Sequence, residues 1–278
     1  MFWGSNYYRL ACQTLFTLWN AGRDYAPKCI IDGVNIQDYL QSHYFNAMSE
    51  LGNAIRDAGD LLDECVIGWD SLNEPHQGYL ETENLNEFGK NVVLKLGPMS
   101  TGIQSMRIAM GEKLEIENWK FSSTGSKRDG NIIIDPKGKR AWLDPEAEIE
   151  GSKWGWKRDP GWKLGSCIWA MHGVWDINSG ELLIPDYFSK FRGDESIRKL
   201  EWLTDYWLPN WISWAKIVRS FHPEAIHFIQ PPVFHVPPKI ISDEVKNRAA
   251  YSSHFYDGLT LFTKHWVSLS SSEFFNLY

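Results

Sequence analysis

Apolar residues recur at steps of three and four over two early stretches, which predicts two amphipathic helices. The first runs from Asn6 to Ala21, with Leu10, Leu15, Leu18 and Trp19 inward and Gly22 as its stop. The second follows Asp32-Gly33 and carries Ile36, Leu40, Ala47, Leu51, Ile55 and Ala58 on one face, closed by Gly59. The period then changes. Glu64 to Trp69 (ECVIGW) is a short apolar run without alternation, as in a strand buried on both faces of a parallel sheet. It ends in the polar string Asp70-Ser71-Leu72-Asn73-Glu74-Pro75.

Residues 84–200 show no clear periodicity and are rich in Gly, Trp and Lys. So long a stretch is expected to be a folded excursion with small strands of its own, one of them at Asn131–Ile134. Helical spacing returns at Pro209 to Ser220, where Trp207, Trp211, Trp214 and Val218 form a stripe that reads as core. Ala225 to Gln230 is the next strand, stopped by Pro231-Pro232, and Arg248 to Tyr256 is a third. Strands alternating with helices predict an α/β fold.

Composition narrows the function classes. Hydrophobic residues make up 43% and charged residues 23% of 278, the balance of a globular domain. The net charge of −7 opposes a nucleic-acid partner, which would need a basic face. No run reaches the roughly 18 apolar residues of a membrane span. No leader-like segment opens the sequence and no Asn-x-Ser/Thr sequon occurs. Cys12, Cys29, Cys65 and Cys167 are too widely spaced for a zinc or disulfide framework, so free thiols and an intracellular setting are expected. Fifteen tryptophans are many for this length; most fit a core, and some could stack on pyranose rings.

Asn73-Glu74-Pro75 is the main chemical candidate. A glycosidase needs a carboxylic acid beside the glycosidic oxygen and a hydrogen-bond donor for the sugar 2-hydroxyl. Glu74 and Asn73 could supply them at the end of a parallel strand, although three residues alone also read as a strand-terminating turn. His254 and Tyr256 are two apart, so on a strand both face one side and could orient a carboxylate. His222, His227 and His235 lack metal-ligand spacing, and no phosphate loop or serine-nucleophile motif is present.

Several longer strings resemble one family. Asn6-Tyr7-Tyr8-Arg9-Leu10-Ala11-Cys12, Gly68 to Pro75, Gly155-Trp156-Lys157-Arg158, Cys167 to Asp176, and His254-x-Tyr256-Asp257-Gly258 are similar to the fungal sterylglucosidase and glucosylceramidase branch of glycoside hydrolase family five. The resemblance runs from about residue 3 to about residue 266. It implies a (β/α)₈ barrel, of which this chain holds about strands four to six with their helices, plus an excursion at 84–200 on the rim between strands four and five. It implies a retaining β-glucosidase acting on a steryl β-glucoside or glucosylceramide without metal or organic cofactor. A non-catalytic glycolipid binder and an endoglycoceramidase are the alternatives. Glu74 matches the acid/base, Asn73 the 2-hydroxyl contact, and His254 and Tyr256 the pair near the nucleophile. Trp69, His76 and Trp175 are the candidate substrate contacts. The family's nucleophile is a Glu on strand seven, which no residue here matches; Glu273 follows Tyr256 too closely. The tail 267–278 departs from the family, and the chain reads as one incomplete catalytic domain, expected to be inactive, cytoplasmic or vacuolar, with peripheral membrane contact possible through its glycolipid substrate.

Overall fold

The computed structural model describes residues 3–59, 61–90, 92, 94–122, 125–147, 155–194, 198–230, 232, 235–236, 238–245, 247–254, 264 and 266. A 3-10 turn, Trp3–Tyr8, leads into helix α1, Leu10–Tyr25. A tight hairpin of β1, Ile30–Ile31, and β2, Val34–Asn35, turns through Asp32 and Gly33, both left-handed at φ 51° and 80°. Helix α2, Ile36–Asp57, follows directly.

Asn35 sets this corner. Its side chain accepts from the Gln37 N–H at 2.9 Å, capping α2, and its amide donates to the carbonyls of Gly22 and Ala26. The chain is non-helical at Ala21, so α1 bends to bring Gly22 against Ile36 and Gln37; a Cβ on Gly22 would lie 3.0 Å from the Ile36 side chain.

The two early helices are present, but their inward faces differ in part from the expected ones. Leu15 is 55% and Leu51 is 51% exposed, while Ala47 and Ala58 are also on the surface. α1 buries Leu18 as expected, and beside it Thr14, Thr17 and Tyr25. α2 packs through Leu40, Tyr44, Met48, Gly52 and Ile55. The reason is what lies opposite. Thr14 and Thr17 accept from the Trp169 indole N–H at 3.2 Å and the Tyr79 backbone N–H at 2.8 Å, and Gly52 makes room for the Phe221 ring.

The parallel sheet begins with β3, Gly68–Asp70. The excursion between it and the next parallel strand holds β4, Gly97–Met99; α3, Gly102–Ala109; and a long hairpin of β5, Leu114–Ser122, and β6, Gly125–Ile134. A π-turn, Leu203–Trp207, runs into α4, Leu208–Phe221, which feeds β7, Ile226–Ile229, and then β8, Ala249–Tyr251. β3, β7 and β8 lie side by side and parallel, with Trp69 opposite His227 and Phe228 opposite Ala250. β3 is shorter than the expected run, because Cys65 to Ile67 still belong to the loop leaving a helical turn. The expected strand Arg248–Tyr256 is strand only over Ala249–Tyr251; residues 252–254 leave it as irregular chain, and the part beyond His254 lies outside the described residues.

The excursion shares the common core. β4, β5 and β6 form their own antiparallel sheet, yet Trp169, Phe188 and Leu200 are buried in the same core as Tyr25, Tyr79 and the α4 stripe. That stripe is core as expected: Trp207, Trp211, Trp214 and Val218 are at most 5% exposed.

Candidate active site

β3 delivers the chain to the site. Asp70 closes the strand, its carboxylate accepting from the Ser71 N–H and from the Ser252 hydroxyl, each at 2.8 Å. Ser252 in turn donates its N–H to Ile229 at 3.0 Å, so the carboxyl ends of all three parallel strands are tied together. Four residues past β3, Glu74 takes a left-handed backbone, φ 45°, and turns its carboxyl inward, 5% exposed.

Both carboxyl oxygens are engaged. Oε2 accepts from the Tyr7 hydroxyl at 2.9 Å, and Oε1 lies 2.6 Å from Nδ1 of His254. Tyr7 comes from 67 residues before and His254 from 180 residues after, at the same end of the sheet as Glu74. His254 sits three residues past β8 on the rim, with its side chain 36% exposed.

His76 stands behind this pair. Its ring stacks on Tyr7, centroids 4.7 Å apart and planes 6° from parallel, with Tyr8 and Phe16 around it. Nδ1 accepts from the Gly78 N–H at 3.0 Å, which places the proton of the neutral ring on Nε2. Burial, helped by nearby His235, pushes the His76 pKa down to about 3. Its carbonyl accepts from the Asn20 amide at 2.9 Å. Gly78 is left-handed, φ 67°, and any Cβ there would lie 2.5 Å from Gln13 O and Thr17 Oγ1. His76 also lines a cavity of about 460 Å³, together with Tyr8, Gln77, Glu81 and Phe88 among others.

The remaining candidates divide. Asn73 is exposed beside Glu74. Trp69 points away from the site, 8% exposed, donating its indole N–H to Nδ1 of His222 at 3.1 Å and meeting Phe221 edge-on. Trp175 is 2% exposed within the core. Neither indole therefore offers a face to a sugar. The alternation of a strand explains Trp69, since its neighbours Gly68 and Asp70 take the other face. His76 lies beneath Tyr7, and Tyr256 and Glu273 lie outside the described residues. Among the described residues no cluster of three His, Cys, Asp or Glu could hold a metal. Tyr7 was not foreseen as a site residue; its only sequence signal is its place in the Asn6–Cys12 string.

The chain is 43% identical over 272 residues to a glucosylceramidase of Aspergillus fumigatus, covering 97% of this chain and 35% of that protein. It is 40% identical to an ergosteryl-beta-glucosidase of Saccharomyces cerevisiae, again covering 35% of it. The chain belongs to the fungal sterylglucosidase and glucosylceramidase family. It spans about a third of the length of these curated relatives. The crystal structure of Cryptococcus neoformans sterylglucosidase 1 with tris superimposes with a TM-score of 0.91 at 48% identity, over 96% of this chain and 37% of that one. The family's fold is thus present as a partial (β/α)₈ barrel, three parallel strands backed by α4. No family model matches the chain.

Proposed function

We propose that this chain carries the acid/base side of a retaining β-glucosidase centre acting on lipid-linked glucose, a steryl β-glucoside or glucosylceramide. The observation that carries the reading is Glu74 itself. It is a buried carboxyl at the carboxyl end of a parallel strand, held by a tyrosine and a histidine that are distant in sequence. Barrel enzymes place catalytic groups at that end. The names of the relatives supply the substrate class. Asn73, exposed beside Glu74, is the contact for the sugar 2-hydroxyl in this reading.

Glu74 donates a proton to the departing oxygen and later accepts one from water. The second carboxylate, which attacks the anomeric carbon, has no match in the sequence read above. The 278 residues alone are therefore expected to release no glucose from a chromogenic β-glucoside. Exchanged for the matching segment of the Cryptococcus sterylglucosidase, the chain should support hydrolysis. In that hybrid Glu74→Gln should lower kcat by about 10²- to 10⁴-fold. A Glu74→Gln hybrid as fast as its parent would sink the reading.

A further inference from the structure

Glu74 has two oxygens and a task that needs one of them free to exchange a proton. Their surroundings are unequal. Oε2 meets a hydroxyl whose ring lies flat on His76, and His76 is itself pinned by the Gly78 N–H at Nδ1 and by Asn20 at its carbonyl. Tyr7 thus rests on the flat face of a buried, uncharged aromatic plate. Oε1 meets His254, a part-exposed side chain on the open rim.

Resting on the acid/base reading of Glu74, we propose that Tyr7 and His76 are positioning residues. The His76 ring braces Tyr7, the Tyr7 hydroxyl reserves Oε2, and Oε1 is left as the oxygen that exchanges the proton with the substrate. A substrate's glycosidic oxygen approaches from the rim and takes the place of His254 Nδ1. In the first step Oε1 gives its proton to that oxygen. The bond from the anomeric carbon to the same oxygen breaks, its electron pair passing to the oxygen, while a second carboxylate bonds to the anomeric carbon. Glu74 is left ionised. In the second step a water oxygen bonds to the anomeric carbon, the carboxylate leaves, and the water's proton returns to Oε1. Throughout, Tyr7 donates to Oε2, so the carboxyl cannot rotate and present the wrong lone pair. Glu74 takes its left-handed backbone four residues past β3, at the same point where Tyr7 holds Oε2.

The proposal separates the roles of ring and nitrogen at His76. A phenyl ring can replace the plate, whereas an alkyl side chain cannot. The test is proton NMR of the full chain with labelled tyrosine. The Tyr7 hydroxyl proton, assigned by its loss in Tyr7→Phe, should exchange slowly with water. In His76→Leu it should exchange at least about tenfold faster, the mark of a loosened hydrogen bond; in His76→Phe it should stay slow. Unchanged exchange in His76→Leu would overturn the proposal, and so would equal loss in His76→Phe with the amide spectrum intact. A kinetic arm uses the hybrid described above. Tyr7→Phe should lower kcat by about tenfold or more on an alkyl β-glucoside, whose leaving oxygen needs a proton, with KM within about twofold. The loss should be much smaller on a dinitrophenyl β-glucoside, which leaves without one. Equal losses on both substrates would show general damage and overturn the positioning role. Hydrolysis indifferent to Glu74→Gln would instead refute the acid/base reading and leave the NMR result standing.

Discussion

A left-handed backbone at a non-glycine residue costs on the order of 1 kcal/mol, and Glu74 adopts it at φ 45°. The strain persists because Tyr7 and His254 hold the carboxyl where that backbone puts it. His227 is less well served. It is fully buried between the Trp211 and Trp214 rings, and among the described residues neither ring nitrogen makes a hydrogen bond of good geometry, the Glu244 backbone being a weak polar neighbour; burial pushes its pKa down to about 4. Replacing it by an apolar ring removes an unsatisfied group, so His227→Phe is expected to raise stability by about 1–2 kcal/mol in urea unfolding. A loss of stability would mean that the imidazole has a partner. Burial also lowers the pKa of His76, His172, His222 and His235. In each case the unfolded chain binds the proton more readily. Their contribution is therefore complete above the unfolded value of about 6.5 and is lost as pH falls from there toward the folded values. Thermal midpoints should drop steadily between pH 7 and pH 4, and His227→Phe should make that slope shallower. A midpoint independent of pH over this window would contradict the neutral assignments.

At the scale of elements, the contact between α2 and α4 sets the position of β3. Gly52 is buried, and a Cβ there would lie 2.4 Å from the Phe221 ring. That ring meets Trp69 edge-on, centroids 5.1 Å apart, directly behind the strand that leads to Glu74. Helix propensity alone favours Gly52→Ala by about 1 kcal/mol. The clash should reverse the sign, for a net loss of about 1–3 kcal/mol as in other overpacked cores; a higher thermal midpoint would show that Phe221 can yield. At the α2 N-terminus, Asn35→Ala removes a cap and two donors to carbonyls and should cost about 1–2 kcal/mol. Much of this level was legible in the sequence. The helices α1, α2 and α4, the strand within Ala225–Gln230, the start of the one at Ala249, and the tryptophan stripe follow from the apolar pattern, whereas α3 does not. The inward faces of α1 and α2 follow only in part: Leu18, Ile36, Leu40 and Ile55 do face the core, whereas Thr14, Thr17 and Gly52 are buried for what they receive, two N–H donors and a phenyl ring. The long strand Leu114–Ser122 escaped notice because its alternating face is only partly buried and its one deep residue is Ile116.

The molecule as a whole is held together by the excursion as much as by the parallel sheet. Phe188 is fully buried, stacked on Tyr25 and Tyr79 and edge-on to Trp169. Phe188→Ala should cost about 3–5 kcal/mol and lower the near-ultraviolet signal of the whole core, not of the excursion alone. A near-neutral result would show that 84–200 folds apart from α1. What the sequence determined by itself is local: the long helices α1, α2 and α4, the places of the three parallel strands, the α/β class, and the Asn-Glu-Pro string after β3 as the chemical candidate. What only the tertiary structure decided is who stands around that carboxylate. Tyr7 and His254 converge on it across 67 and 180 residues. Trp69 and Trp175 turn into the core, and His76 becomes the plate beneath Tyr7. Side-chain partners at such separations are fixed by how helices and strands pack in space, and no period along the chain encodes that packing.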